Sequence, residues 1–296
     1  MKRKRTRAAI LAALILGLCA SDGRADTSLF ERIGKDASLA KLFPDSEARA
    51  EVQDGFLIGT GVERIRRLPD GNLRIERTRR YTKVRDLESD RIATLPEPWD
   101  ARSTLIVTPA LRLRSVDTRL WFKRSGDGVF KDHKLSERHD WLFAVDRTLI
   151  RVSKSGQQLI QETFLGQKKL DGESYDYPAD ATPLEIVGMF LSVAVDRRLD
   201  QFEFELLLPG GSTHGISAHT VRTRDLRRFA KGYSVPQSRL ISRELTAVVD
   251  LRLTSPVKYL FFPHHFYMAF SAQDPWKLTA LWGGDPDENL QAFRVD

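Results

Sequence analysis

The sequence predicts a mainly β protein, a β-rich α+β chain built on a large curved antiparallel sheet or half-barrel, with a short N-terminal helical segment and one helix near 183–195. Three observations predict it. Apolar and polar residues alternate with period two over most of the chain, the pattern of a sheet with one covered face. Clusters of Gly, Pro, Asp and Ser punctuate those runs at hairpin spacing. One interior stretch instead carries its apolar residues at helical spacing.

Taken in order, the chain opens with Lys2, Arg3, Lys4, Arg5 and Arg7, followed by the apolar run Ala8 to Leu18. A charged stretch before a short apolar one reads as a secretory signal peptide, too short for an ordinary membrane span of about 20 residues. Small residues at Gly23 and Ala25 place cleavage after Ala25, so 1–25 is the signal and 26–296 a single β-rich domain. Two alternatives stay open. One is an uncleaved anchor, and the other a lipoprotein modified at Cys19, where the bulky Leu18 departs from the small residue such sites carry. Residues 26–52 read as the helical segment, because Leu29, Phe30 and Ile33, then Leu39, Leu42 and Phe43, share faces ahead of Pro44.

Hairpins follow. Phe56 to Arg67 and Leu73 to Val84 flank Leu68-Pro69-Asp70-Gly71-Asn72. Leu111 and Leu113 alternate with Arg112 and Arg114 in a run to Phe122, before the turn Ser125 to Gly128. Trp141 to Val152 and Leu159 to Leu165 flank Lys154-Ser155-Gly156-Gln157; Phe202 to Leu208 and Ile216 to Arg224 flank Pro209-Gly210-Gly211-Ser212. Between them, Leu184, Val187, Phe190 and Leu191 mark the helix, with Pro183 at its first turn. Arg243 to Leu253, Tyr259 to Phe270, Trp276 to Trp282 and Leu290 to Val295 return to strand, with Leu245, Ala247, Val249, Leu251 and Leu253 turned inward.

Charge first suggests nucleic acid, since 47 basic against 40 acidic residues give +7. Residues 1–25 hold six of the bases and one of the acids, so the remainder carries 41 against 39 and is nearly neutral. The lone cysteine also leaves with the signal, which removes both a disulfide and a thiol nucleophile. Strand arginines (Arg74, Arg77, Arg79, Arg80, Arg112, Arg114, Arg119) read either as a basic groove for anions or as a solvated face that resists edge pairing. The six histidines, His133, His139, His214, His219, His264 and His265, lack metal-ligand spacing. Neither Gly-x-Ser-x-Gly nor a Walker A loop is present. No catalytic residue, metal ligand or cofactor is therefore assigned.

The densest chemical feature lies near the C-terminus, where Tyr259, Phe261, Phe262, Phe266, Tyr267 and Phe270 precede Trp276 and Trp282. In a strand, 262, 266, 268 and 270 share one face and 261, 265, 267 and 269 the other, so both faces need cover. They form either a central core strand or the wall of an apolar cavity.

Gly55-Phe56-Leu57-Ile58-Gly59 with its Asp-Gly hairpin, Tyr175-Asp176-Tyr177-Pro178 before a helix, and the order Phe266-Tyr267, Asp274-Pro275-Trp276-Lys277-Leu278, Gly283 carry a resemblance. In these the chain resembles a family of exported bacterial proteins known as a domain of unknown function, whose members share a large curved antiparallel sheet. Such sheets are similar to the half-barrels of periplasmic lipoprotein carriers, which hold lipid chains between a concave sheet and a covering helix. The double His264-His265 departs from that pattern. The resemblance implies a periplasmic, non-enzymatic protein of a Gram-negative envelope that binds or carries an apolar or amphipathic component. Phe262, Phe266, Tyr267, Trp276 and Trp282 are the candidate lining, a lipid or other apolar envelope molecule the expected partner, and no transmembrane segment remains after cleavage. Two other classes stand beside it: an envelope scaffolding module that binds a protein or anionic saccharide through a sheet edge or the Arg-rich face, and a hydrolase in which His139 or His219 meets a carboxylate.

Overall fold

The computed structural model describes residues 42–54, 57–85, 92–121, 147–231, 233, 235, 240–254, 265–275, 277–283 and 290–295. Among the described residues, fifteen strands form one sheet. The first eight are β1 (Ser46–Asp54), β2 (Leu57–Arg67), β3 (Leu73–Arg85), β4 (Ile92–Val107), β5 (Leu113–Trp121), β6 (Arg147–Val152), β7 (Gln158–Leu165) and β8 (Lys168–Asp176). After them come β9 (Ala181–Pro183), a 3₁₀ turn at Leu184–Ile186, and the helix α1 (Val187–Asp196). The remaining strands are β10 (Gln201–Leu207), β11 (Thr213–Asp225), β12 (Ile241–Leu253), β13 (Phe266–Ser271), β14 (Leu278–Gly283) and β15 (Leu290–Val295).

The spatial order runs β8 through β1, then β15 down to β9, so two meanders are joined where β1 pairs with β15. Every neighbour is antiparallel except β9 beside β10. The two ends of the sheet come together: a Cβ added at Gly211, in the β10–β11 turn, falls 2.5 Å from Cβ of Tyr175 on β8. Residues 177–181 then cross the base of the curved sheet. There Arg112 donates to the carbonyls of Pro178, Ala179 and Ala181 at 3.0–3.4 Å, lies 3.6 Å from the centre of the Tyr177 ring, and the Tyr177 hydroxyl accepts the Leu113 N–H at 2.9 Å. Arg112 is thus a clamp on the base, not a residue of a solvated face.

The main core fills that base. Ile75, Leu105, Leu113 and Leu159 from the first meander meet Ile186, Phe190 and Leu191 of the helical segment and Phe204, Val249 and Phe270 from the second. The sequence-predicted helix is present as the 3₁₀ turn and α1, with seven consecutive buried residues from Met189 to Val195. A second core lies on the outer face, where Leu226, Phe229, Ala230, Val235 and Leu240 cover Val248, Tyr267, Ala269, Ala280, Trp282 and Phe293. Strands β12 and β13 are therefore covered on both sides, and Leu245, expected inward, is 40% exposed.

The N-terminal helical reading needs correction. Ser46–Asp54 is a strand, hydrogen-bonded to β2 on one side and β15 on the other. Ala48, Ala50 and Val52 alternate with Glu47, Arg49 and Glu51, and two flanking strands outweigh the weak helical preference of alanine. Residues 26–41 lie outside the described residues. Strand β4 was not anticipated, because Pro96 and Pro98 argue against a ladder. It accommodates them in an irregular stretch, with Trp99 opposite Tyr81 and Thr94 opposite Lys83. No helix among the described residues is long and apolar enough to cross a membrane.

Candidate functional site

Alternation from the buried Ile75 fixes which side chains enter the concave face, because a strand's period is two. Arg77 and Arg79 point inward with Ile75, whereas Arg74 and Arg80 point outward. The strand arginines therefore divide between opposite faces.

The inner face is layered. Nearest the base, Ile150, Val116, Leu105, Ile75 and Ile65 are successive cross-strand partners and are buried in the main core. Two residues further up, about 7 Å along the strands, the partners are Thr163, Thr148, Thr118, Ser103, Arg77 and Glu63. This belt is polar and only half-buried. Ser103 and Thr118 share a hydrogen bond at 2.9 Å, and Arg77 Nε donates to Glu63 Oε2 at 2.6 Å. The next row runs Leu120, Ala101, Arg79, Gly61, Ala50 and Arg294, with small residues between the two arginines. Above it Tyr81 pairs with Trp99, and both are buried.

Glu185, in the 3₁₀ turn ahead of α1, closes the underside of this space. Its backbone carbonyl accepts from Arg77 at 3.1 Å. Burial pushes its carboxyl above the ordinary range, against the lowering effects of its own backbone N–H and of Arg77. The residue is nonetheless only half-buried. Tyr175 and Tyr177, near the same end, have their hydroxyls pushed up by burial first, with Glu185 adding to the shift.

Of the expected aromatic lining, the three described residues, Phe266, Tyr267 and Trp282, lie elsewhere. Phe262 and Trp276 lie outside the described residues or side chains. Phe266 packs against the main core, whereas Tyr267 and Trp282 are cross-strand partners in the outer core. Trp282 is fully enclosed, its indole N–H donating to the Phe229 carbonyl at 2.9 Å, and Tyr267 packs on Phe229, Tyr233 and Trp282 with ring centres 5.5–6.2 Å apart. Because 266 and 267 alternate, Phe266 faces away from the other two. The residues that do line the concave face, Arg77 and Arg79 among them, were legible by counting in twos from Ile75.

His139 lies outside the described residues, and His219 is exposed on β11, with its Cα opposite Asp250. The pair formed is His265 with Asp250, Nδ1 to Oδ1 at 2.8 Å, while Arg252 donates to Asp250 Oδ2 at 2.7 Å. The His265 ring stacks on Tyr267 at 5.6 Å. This cluster sits on the outer face, where the arginine and imidazole hold a buried carboxylate between strands. A charged Asp250 within the apolar run Ala247 to Leu251 was the available signal for it. Among the described residues no group of three or more His, Cys, Asp or Glu is placed to hold a metal ion.

No family model matches the chain. No curated protein matches it. Among solved structures it is similar to the beta-barrel-like protein of domain of unknown function DUF1849 from Brucella abortus, at a TM-score of 0.46 and 6% identity over 84% of this chain and 94% of that one.

Proposed function

We propose that the protein is an exported, periplasmic, non-enzymatic binding protein that holds an amphipathic envelope component on the concave face of its sheet. The observation that carries this reading is the half-buried polar belt of Thr118, Ser103, Arg77 and Glu63 above a filled apolar base, where Arg77 also donates to the Glu185 backbone carbonyl. Hydroxyls and an arginine suit the polar end of such a molecule, because few but well-placed polar groups orient a ligand. The small residues Gly61, Ala50 and Ala101 leave room for its body, and the buried pair Tyr81 and Trp99 bounds that space beyond them.

The reading differs from the aromatic-lining expectation in where it places the ligand. It is tested by purifying the protein under mild conditions and identifying what it carries by native mass spectrometry. An amphipathic molecule is expected on the wild type. Ala50→Phe and Ala101→Phe, which fill the space above the belt, should release it while leaving the circular dichroism spectrum unchanged. A wild-type protein recovered empty that also fails to take up amphipathic molecules, or variants that retain the same molecule, overturns the reading.

A further inference from the structure

The outer face of the first meander carries a charge arrangement that folding does not require. Arg102 on β4 is the cross-strand partner of Arg119 on β5, and Arg119 that of Arg147 on β6. Three guanidinium groups thus stand side by side across about 10 Å of sheet, although like charges directly opposite are destabilising. Asp117 serves two of them, accepting from Arg147 at 2.9 and 3.0 Å and lying 3.4 Å from Arg119. Nearer the base, Arg66 lies opposite Arg74. Arg66, Arg102 and Arg114 are exposed and have no ion-pair partner among the described residues.

Apolar groups border this surface. Ile160 on β7 is 38% exposed, and Leu170 on β8, where the β7–β8 register shifts, is 42% exposed. The Arg147 guanidinium lies 5.6 Å from the centre of the Phe164 ring. A soluble polyanion could meet the arginines alone. A bilayer offers phosphates and, just beneath them, apolar volume for the aliphatic side chains.

We propose that the outer face of β2–β7 docks on an anionic phospholipid surface, with the row Arg102, Arg119 and Arg147 against lipid phosphates and Ile160 and Leu170 entering the interface at its margin. The face is opposite the concave belt, so docking leaves the inner site free.

Co-sedimentation with vesicles tests this. The purified protein is expected to partition onto mixed phosphatidylglycerol–phosphatidylcholine vesicles, less so as salt is raised, and not onto phosphatidylcholine alone. The variant R66A/R102A/R114A removes arginines that make no ion pair in the fold. It should bind on the order of 100-fold more weakly, about fivefold per arginine, with an unchanged thermal melt. I160S/L170S should weaken vesicle binding without changing retention on dextran sulfate. Equal partition onto neutral vesicles, no partition at all, or an unaffected arginine variant overturns the proposal. Arginine-dependent retention on dextran sulfate without vesicle binding also overturns it, and assigns the face to an anionic polysaccharide. Because the arginine variant leaves the concave face intact, its bound molecule in native mass spectrometry reads out the inner site separately.

Discussion

Glu185 shows how one residue couples the closed base to the open belt. Its carboxyl titrates higher in the folded protein than in the unfolded chain, because burial disfavours the charged form more than its own backbone N–H and Arg77 favour it. Below the unfolded value of about 4.3 both states hold the proton, and the group has no effect on stability. As pH rises from there through the folded value, the unfolded chain ionises first and stability falls. Glu185→Gln copies the protonated form. Its denaturant midpoint should therefore match the wild type near pH 4 and exceed it near pH 7. Urea titrations at the two pH values check this, and a Gln variant less stable at neutral pH would show that the carboxylate is needed in its charged state. The residue's sequence context, between Leu184 and Ile186 in an apolar helix start, carried no hint of this position. Its surroundings come from β3 and β8, more than a hundred and about ten residues away in the chain.

At the scale of elements, legibility followed from how local each cause is. The hairpins closed by residues 68–72, 153–157 and 208–212 were readable because their turn chemistry is contained in a few residues, and Gly71, Gly156, Gly210 and Gly211 all adopt positive φ there. The helix was readable from a single apolar stripe. Strand β1 was not, because one of its two partners, β15, lies at the other end of the chain and its inward residues are mostly alanine. The aromatic cluster was read correctly as needing cover on both faces, but nothing local to it said that Leu226, Phe229, Ala230, Val235 and Leu240 would supply one of the covers. Strand β2 contains a further position fixed by neighbouring backbone. At Gly59, beside the β2–β3 irregularity, an added Cβ would fall 2.0 Å from the Arg80 carbonyl oxygen and 2.7 Å from Cα of Tyr81. These are main-chain atoms, so β3 itself would have to move. Gly59→Ala is expected to cost about 2 kcal/mol or more, measured by chemical denaturation, whereas Gly156→Ala, whose Cβ meets nothing within 4 Å, should lose only what its positive φ imposes.

Across the whole molecule, the pairing of β1 with β15 decides how the two meanders behave together. Residues 49–53 lie opposite 291–295, and the main core takes Leu105 and Ile75 from one meander and Phe204 and Phe270 from the other, with α1 between them. Neither meander buries its inner face alone. Unfolding should therefore be one cooperative transition, seen at the same denaturant concentration by tryptophan fluorescence and by far-ultraviolet circular dichroism. The seam also joins segments separated by nearly the whole described chain, so its closure entropy must be met before its contacts contribute. Refolding is accordingly expected in the slow range of β topologies, milliseconds to seconds. Truncation before Leu290 removes β15 and leaves β1 and β14 as open edges, with Ala50 and Val52 losing one neighbour strand. That truncated chain should unfold at lower denaturant and aggregate, as light scattering would show. Two well-separated transitions in the intact protein, with the truncation affecting one alone, would instead mark the meanders as independent domains.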